Sequence, residues 1–270
     1  MLSNLVLLQH NILSLNNLLL IYREGGFTMI PLDLLPLLML IVAFLYSSAG
    51  HGGASGYLAL MALAGISPVI MKPTALILNL FVAGIAMVSF YKAGYFRWRL
   101  LWPFAMTSVP AAYFGARVTF EPILYKVILG ICLLIAVARM LYIPGKNNQV
   151  NQQVSIPLAG ISGIILGFLS GMIGIGGGII LSPLLIVTRW ARVKEASAAS
   201  AGFILLNSLS GLTSLYGKGF SPDKNMAIWV VAAFLGGILG SATGSTKLSE
   251  SGLRYVLSGV LFLAAIKLIM

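Results

Sequence analysis

Charged side chains are scarce: Lys, Arg, Asp and Glu together make up 9% of the 270 residues, and only six of them are acidic. Soluble globular domains carry roughly 25% charged residues, so a water-facing surface cannot be built from this composition. Cysteine is nearly absent. The lone Cys132 excludes an intrachain disulfide and a cysteine-based metal cluster, and within its apolar run it reads as inert packing. With only two histidines, His10 and His51, a histidine metal centre and a Ser-His-Asp constellation lack their parts. The six carboxylates Glu24, Asp33, Glu121, Glu195, Asp223 and Glu250 fall at expected helix ends or in loops, so no buried carboxylate relay is expected. No Walker lysine follows the glycines, so a nucleotide cofactor has no seat; no cofactor and no enzymatic chemistry are expected.

What remains is apolar. Hydrophobic residues make up 59% of the chain and mean hydropathy is +0.99. An α-helix needs about 20 apolar residues to cross a hydrocarbon core of roughly 30 Å. Several continuous, non-alternating runs reach that length, which points to helices rather than a β-barrel. The net charge of +11 does not imply nucleic acid, because the basic residues are scattered between apolar runs instead of forming one stripe.

Apolar runs between polar punctuation predict helices near 30–48, 54–66, 73–91, 100–117 and 122–142, then near 155–173, 178–188, 197–216, 226–246 and 251–269. Residues 1–28 hold an apolar stretch interrupted by Asn4, Asn11, Asn16 and Asn17 and no clear cleavage site. They are expected to form an interfacial helix, or to precede a natural start at Met29. The domain reading is therefore an N-terminal segment 1–28, a first membrane repeat 29–143, a polar linker 144–154 and a second membrane repeat 155–270.

A shift of about 125 positions superposes Gly52-Gly53 on Gly177-Gly178, Ser89 on Ser214, Tyr91 on Tyr216 and Gly94 on Gly219. The same register leaves Asn79 and Asn207 about one helical turn out of step. Placing the loops with Lys92, Arg97, Arg99, Arg139, Lys146, Arg189, Arg192, Lys194, Lys247 and Arg254 in the cytoplasm alternates correctly through ten segments, and matching loops then fall on opposite sides. The fold expected is an all-α polytopic membrane bundle of two inverted repeats, about five helical segments each. Eight spans with re-entrant short segments remain an alternative.

The second segment of each half is too short to span, and each follows a glycine cluster: Ala49-Gly50-His51-Gly52-Gly53-Ala54-Ser55-Gly56, and Gly171-Met172-Ile173-Gly174-Ile175-Gly176-Gly177-Gly178. Glycine lets the backbone leave the helix, and the restarting helix offers unpaired N–H groups and a positive dipole end that favour an anion. Matching short segments point to discontinuous helices around a midplane site. Close helix packing through small residues explains the same glycines without any ligand. The candidate substrate site is Gly52, Gly53, Ser55, Gly176, Gly177 and Gly178, joined by Asn79, Asn207 and Ser208, whose polar groups are costly in an apolar run unless they face the bundle interior. Helix–helix hydrogen bonding accounts for these amides equally well. Thr74, Ser200, Ser210 and Ser214 are weaker candidates, because hydroxyls often bond back to their own helix. His51 is the one titratable side chain expected in the core apart from tyrosines and Cys132, and its reference pKa near 6.5 suits proton coupling; a cavity-lining or packing role is the alternative.

These residues carry a resemblance. The paired clusters, the continuation Gly176-Gly177-Gly178-Ile179-Ile180-Leu181-Ser182-Pro183-Leu184-Leu185, and Asn207-Ser208-Leu209-Ser210-Gly211 ahead of Tyr216-Gly217-Lys218-Gly219 resemble the TauE/SafE family of sulfite exporters over roughly residues 30 to 270. The resemblance implies a tandem-repeat transporter moving sulfite, a sulfonate or a related sulfur-containing anion outward across the bacterial inner membrane. The first half departs from the family pattern at His51 and at Lys72-Pro73-Thr74. The partners expected are a small anion and the lipid bilayer, with proton coupling, and a homodimer is compatible with the sequence. An anion channel and a non-transporting scaffold or assembly factor are the competing readings.

Overall fold

The computed structural model describes residues 30–48, 51–141, 153–216, 224–243 and 250–269. The N-terminal segment, most of the linker, and Ala49 and Gly50 of the first cluster lie outside the described residues. Within them every regular element is helical. A 3-10 turn, Leu32–Leu34, leads into α1, Leu35–Ser48, followed by α2, Ala54–Leu63; α3, Pro68–Lys92; α4, Trp98–Arg117; and α5, Pro122–Leu141. The second five are α6, Ile156–Ile173; α7, Gly178–Val187; α8, Val193–Tyr216; α9, Lys224–Thr243; and α10, Glu250–Ile269. Prolines punctuate the starts: Pro68, Pro122 and Pro157 occupy the first positions of α3, α5 and α6, where a missing N–H is harmless.

Two starts come earlier than the sequence suggests. α3 begins at Pro68 rather than at Pro73, which sits inside the helix. α8 begins at Val193 because Glu195 in its first turn accepts a hydrogen bond from the Arg192 N–H at 3.2 Å, half of a capping box. The polar Lys194-Glu195 pair is thus a helix start and not a loop.

α3, α6 and α8 are, among the described residues, long and apolar enough to cross a bilayer by length and composition. α2 and α7 have ten residues each, about 15 Å at 1.5 Å per residue, half of a bilayer core. Around the bundle, Leu37, Ile41, Phe114, Ile161, Ile164 and Leu239 expose their side chains outward, as a lipid-facing surface requires. This is an integral membrane helix bundle.

Helices in lipid associate by packing and interhelical hydrogen bonds rather than by hydrophobic expulsion from water. Two pairs here do so at backbone contact. Gly163, Gly167 and Gly171 of α6 meet the backbone at Phe104, Ser108 and Ala112 of α4, and Gly115 of α4 meets the Phe168 carbonyl. Gly236 and Gly240 of α9 likewise press on the carbonyls of Leu40 and Phe44 of α1. The four-residue spacing rises together in both members of each pair, so α4 runs parallel to α6 and α1 parallel to α9. Hydrogen bonds from Thr107 Oγ1 to the Gly160 carbonyl, 2.9 Å, and from Ser47 Oγ to the Gly237 carbonyl, 2.8 Å, tie them further.

Exchanging the first five helices for the second five leaves the principal contacts unchanged. α1 packs on α9 as α6 does on α4, α3 on α9 as α8 on α4, α2 on α10 as α7 on α5, and α2 on α3 as α7 on α8, while α3 crosses α8 and α5 packs on α10. At one end of the bundle the α3–α4 connection meets the start of α8: Arg97 pairs with Glu195 at 2.8 Å and Lys194 Nζ donates to the Tyr95 hydroxyl at 3.2 Å. Another cross-half tie joins Lys267 Nζ of α10 to the Leu63 carbonyl closing α2, 2.8 Å.

Candidate functional site

Each short helix restarts from a left-handed glycine. Gly53, φ 85°, is the N-cap of α2, and Gly177, φ 72°, that of α7. An L side chain is disfavoured there, so glycine is what lets the chain leave α1 and α6 and turn into a new axis. The helices also end alike, followed by positive-φ residues, Gly65 at φ 75° and Arg189 at φ 58°. Both pairs stand 124 residues apart, one fewer than the sequence register that paired Gly52-Gly53 with Gly177-Gly178. Two glycines in tandem admit either alignment in sequence, and the backbone angles choose the 124-residue one. Neither helix start has a side-chain cap, so their leading amides lack the donor satisfaction that a Ser or Asp would provide.

The two breaks converge on one point where α3 crosses α8. A Cβ built on Gly52 would lie 2.9 Å from Asn79 Oδ1 and 3.0 Å from Ile204 Cγ2. One built on Gly176 would lie 2.8 Å from Asn79 Nδ2 and 2.8 Å from Ile204 Cγ2. Gly178 faces Ile204 and the Ser200 carbonyl, and Gly177 faces Phe203, Leu166 and Ser170. The crossing is filled in this conformation, with no room for a β-carbon at Gly52, Gly176 or Gly178.

Asn79 is fully buried, and neither its Oδ1 nor its Nδ2 has a hydrogen-bond partner among the described residues. Leaving a buried amide unpaired costs about 1–3 kcal/mol per group, so Asn79 is a polar group that the filled crossing leaves unsatisfied. The hydroxyls of Tyr57, beside Gly53, and of Ser170, beside Gly177, are also buried without partners among the described residues. Ser55 differs: its Oγ is 2.8 Å from the Tyr46 hydroxyl. Asn207 and Ser208 are fully buried and unpartnered among the described residues, but they stand one turn beyond Ile204, and Ile204 is the α8 residue seen against both breaks. Sequence reasoning did not single out Ile204, since an isoleucine in an apolar helix carries no signal.

The weaker hydroxyl candidates are all engaged. Thr74 bonds back to the Ile70 carbonyl of its own helix, 2.7 Å. Ser210 and Ser214 instead reach across to the Val109 and Tyr113 carbonyls of α4, at 2.6 and 2.8 Å. Ser200 accepts from Ser182 Oγ at 2.7 Å, and Ser182 Oγ stands 3.3 Å from His51 Nε2. His51 therefore touches the other half of the chain.

Two charged side chains are buried near helix ends: Lys72, 8% exposed, early in α3, and Glu195, in the first turn of α8. Lys72 Nζ donates to the Ala116 and Val118 carbonyls at 2.8 and 3.3 Å. Those carbonyls end α4, where a cation is favoured by the helix dipole, and this is why a buried ammonium is tolerated there. A helix start at Pro73 places Lys72 outside the helix, whereas α3 includes it.

Residues 35–268 match the family described as sulfite exporter TauE/SafE. The chain belongs to the TauE/SafE family. Among its relatives, a probable membrane transporter protein of Sinorhizobium fredii is 34% identical over 235 residues, covering 85% of this chain and 94% of the relative. A probable membrane transporter protein of Haemophilus influenzae is 28% identical over 230 residues, 78% of this chain and 84% of that one. A third, from Methanocaldococcus jannaschii, is 36% identical over 110 residues, 37% of this chain and 40% of the relative. No solved structure matches. Family and relatives alike indicate a membrane transporter.

Proposed function

We propose that this TauE/SafE protein is a secondary transporter that exports a small sulfur-containing anion, such as sulfite or a sulfonate, across the bacterial inner membrane. The observation that carries the reading is the convergence of both glycine breaks on the unpartnered amide of Asn79. An anion seated there would take the Asn79 Nδ2–H and the uncapped amides of α2 and α7, neutral donors that hold it loosely enough to release it. Tyr57 and Ser170 supply further hydroxyls at the rim. Because the crossing is filled, the anion enters only when α3 and α8 separate.

The two halves are read as inverted repeats, because the parallel pairs α1·α9 and α4·α6 and the exchange of contacts between halves are what an in-plane pseudo-two-fold produces. An ion gradient, with His51 as the proton carrier, drives the cycle. A purely architectural reading also has an observation behind it, the filled glycine crossing. Reconstituted protein decides between them. Radiolabelled sulfite, sulfate and small sulfonates are offered to proteoliposomes with and without a pH gradient. Saturable flux with counterflow, lost in Asn79→Leu protein that still purifies folded, supports transport. Flux that never saturates indicates a channel, and no flux of any anion ends the proposal in favour of a scaffold.

A further inference from the structure

A half-open cavity of about 290 Å³ lies where the α2–α3 connection meets the start of α5, lined by Ile66, Ser67, Pro68, Glu121, Ile123 and Lys126. α3 is long and apolar enough to cross a bilayer and begins at Pro68, which puts the cavity at a membrane surface. Val69 and Ile123, 77% and 75% exposed, turn apolar side chains outward beside it. Glu121 and Lys126 bring opposite charges to the cavity wall, yet among the described residues neither side chain has a hydrogen bond or an ion pair. The helix dipole explains a carboxylate at the start of α5; it gives Lys126 no partner. Lys126 also stands close enough to Lys267 of α10 for the two charges to repel, and Lys267 is already bonded to the Leu63 carbonyl at 2.8 Å. An anionic group beside Lys126 would relieve that repulsion, and a cationic group beside Glu121 would complete the wall.

We propose that this cavity seats the headgroup of a phosphoethanolamine lipid, with the phosphate on Lys126 and the primary ammonium on Glu121. Pockets for drug-sized ligands run from about 300 Å³ upward, so this one suits a headgroup and leaves the acyl chains outside, against Val69 and Ile123. Lys126 alone would accept any phospholipid, and a basic pocket without Glu121 would favour an anionic lipid. The Glu121 carboxylate sets the choice, because it accepts charge-assisted hydrogen bonds that a primary ammonium donates and a quaternary one cannot. Among the described residues no aromatic ring lines the cavity to hold choline instead. This seat is separate from the α3–α8 crossing and takes lipid whether or not the crossing carries an anion.

The test uses the purified full-length protein in detergent, mixed with phosphatidylethanolamine, phosphatidylcholine or phosphatidylglycerol of the same acyl chains, with bound lipid counted by native mass spectrometry. Phosphatidylethanolamine is expected to bind about tenfold tighter than either of the others, the scale of one hydrogen bond to a charged group. Glu121→Gln, at an exposed residue, is expected to erase the preference over phosphatidylcholine while lipid still binds. Lys126→Gln is expected to weaken all three lipids, and Lys126→Arg to restore them. Equal affinity for the three lipids, tighter binding of phosphatidylglycerol, or a preference unchanged by Glu121→Gln overturns the assignment. Free phosphoethanolamine distinguishes the two sources of the headgroup. Displacement of lipid only at a large excess supports a lipid occupant, whereas binding as tight as that of the lipid overturns it in favour of a soluble solute.

Discussion

The two glycine breaks share a backbone and differ in chemistry. Each has a left-handed glycine N-cap, a helix of ten residues and a positive-φ exit. Yet the first carries His51 and Ser55 and the second Ile175, and of the two residues that meet both breaks Asn79 on α3 is polar while Ile204 on α8, 125 residues later, is apolar. α2 is buried along its whole length, whereas α7 turns only Gly178, Leu181, Ser182 and Leu185 inward. The difference teaches that glycine geometry builds the shape of the crossing twice, but side-chain polarity at its centre is supplied mainly from one side.

The comparison breaks most violently at the glycine pairs outside the site. Gly167→Leu and Gly236→Leu each force a side chain into a neighbouring carbonyl, and each is expected to abolish folded, monodisperse protein in detergent. Overpacking costs about 1–3 kcal/mol, often more against rigid backbone. Gly160→Ala, whose added carbon meets nothing nearer than Thr107 Cγ2 at 3.8 Å, serves as the control and should match the parent in size-exclusion yield.

Asn79→Leu is expected to lower anion flux by about tenfold or more, the scale of losing a hydrogen bond to a charged ligand, while thermal stability holds or rises because a buried unpaired amide is gone. The exchange Asn79→Ile with Ile204→Asn sharpens the test. Recovered flux in that double variant shows that the centre can take its amide from either side; continued loss shows that the rest of the first break, His51 and Ser55 included, is needed with it.

Smaller effects separate the two helix exits. Gly65→Ala places a side chain at φ 75° and is expected to destabilise by about 1 kcal/mol. Arg189→Gly relieves the same conformation at φ 58° and should raise the melting temperature slightly, since glycine adopts positive φ without penalty. At the bottom of the scale, Tyr46→Phe leaves Ser55 without its 2.8 Å partner and should cost about 1 kcal/mol in denaturation.

Much of this was readable from the chain itself. Apolar run length exposed the membrane helices, because hydrocarbon demands about 20 residues per span, and the shortness of α2 and α7 after glycine clusters exposed the breaks. The candidate glycines and Asn79 came from the same logic, since polar and backbone groups in an apolar run need a reason to be there. Local signals misled at α3 and α8, where Lys72 and Glu195 looked like loop residues; each is satisfied by a partner distant in sequence or by its own helix start, and hydropathy does not register such partners.

Sequence alone determined the solvent this protein lives in, its helical class and the two places where helices must break, all of which follow from composition and from glycine's missing side chain over short stretches of chain. Only the tertiary structure decided that α4 packs with α6 and α1 with α9, that Asn79 and Ile204 meet both breaks, and that His51 reaches Ser182. Those choices depend on contacts between residues far apart in the chain, 53 positions for Thr107–Gly160, 131 for His51–Ser182 and 190 for Ser47–Gly237, made when backbones approach closely enough that one absent methyl group determines which helix fits against which.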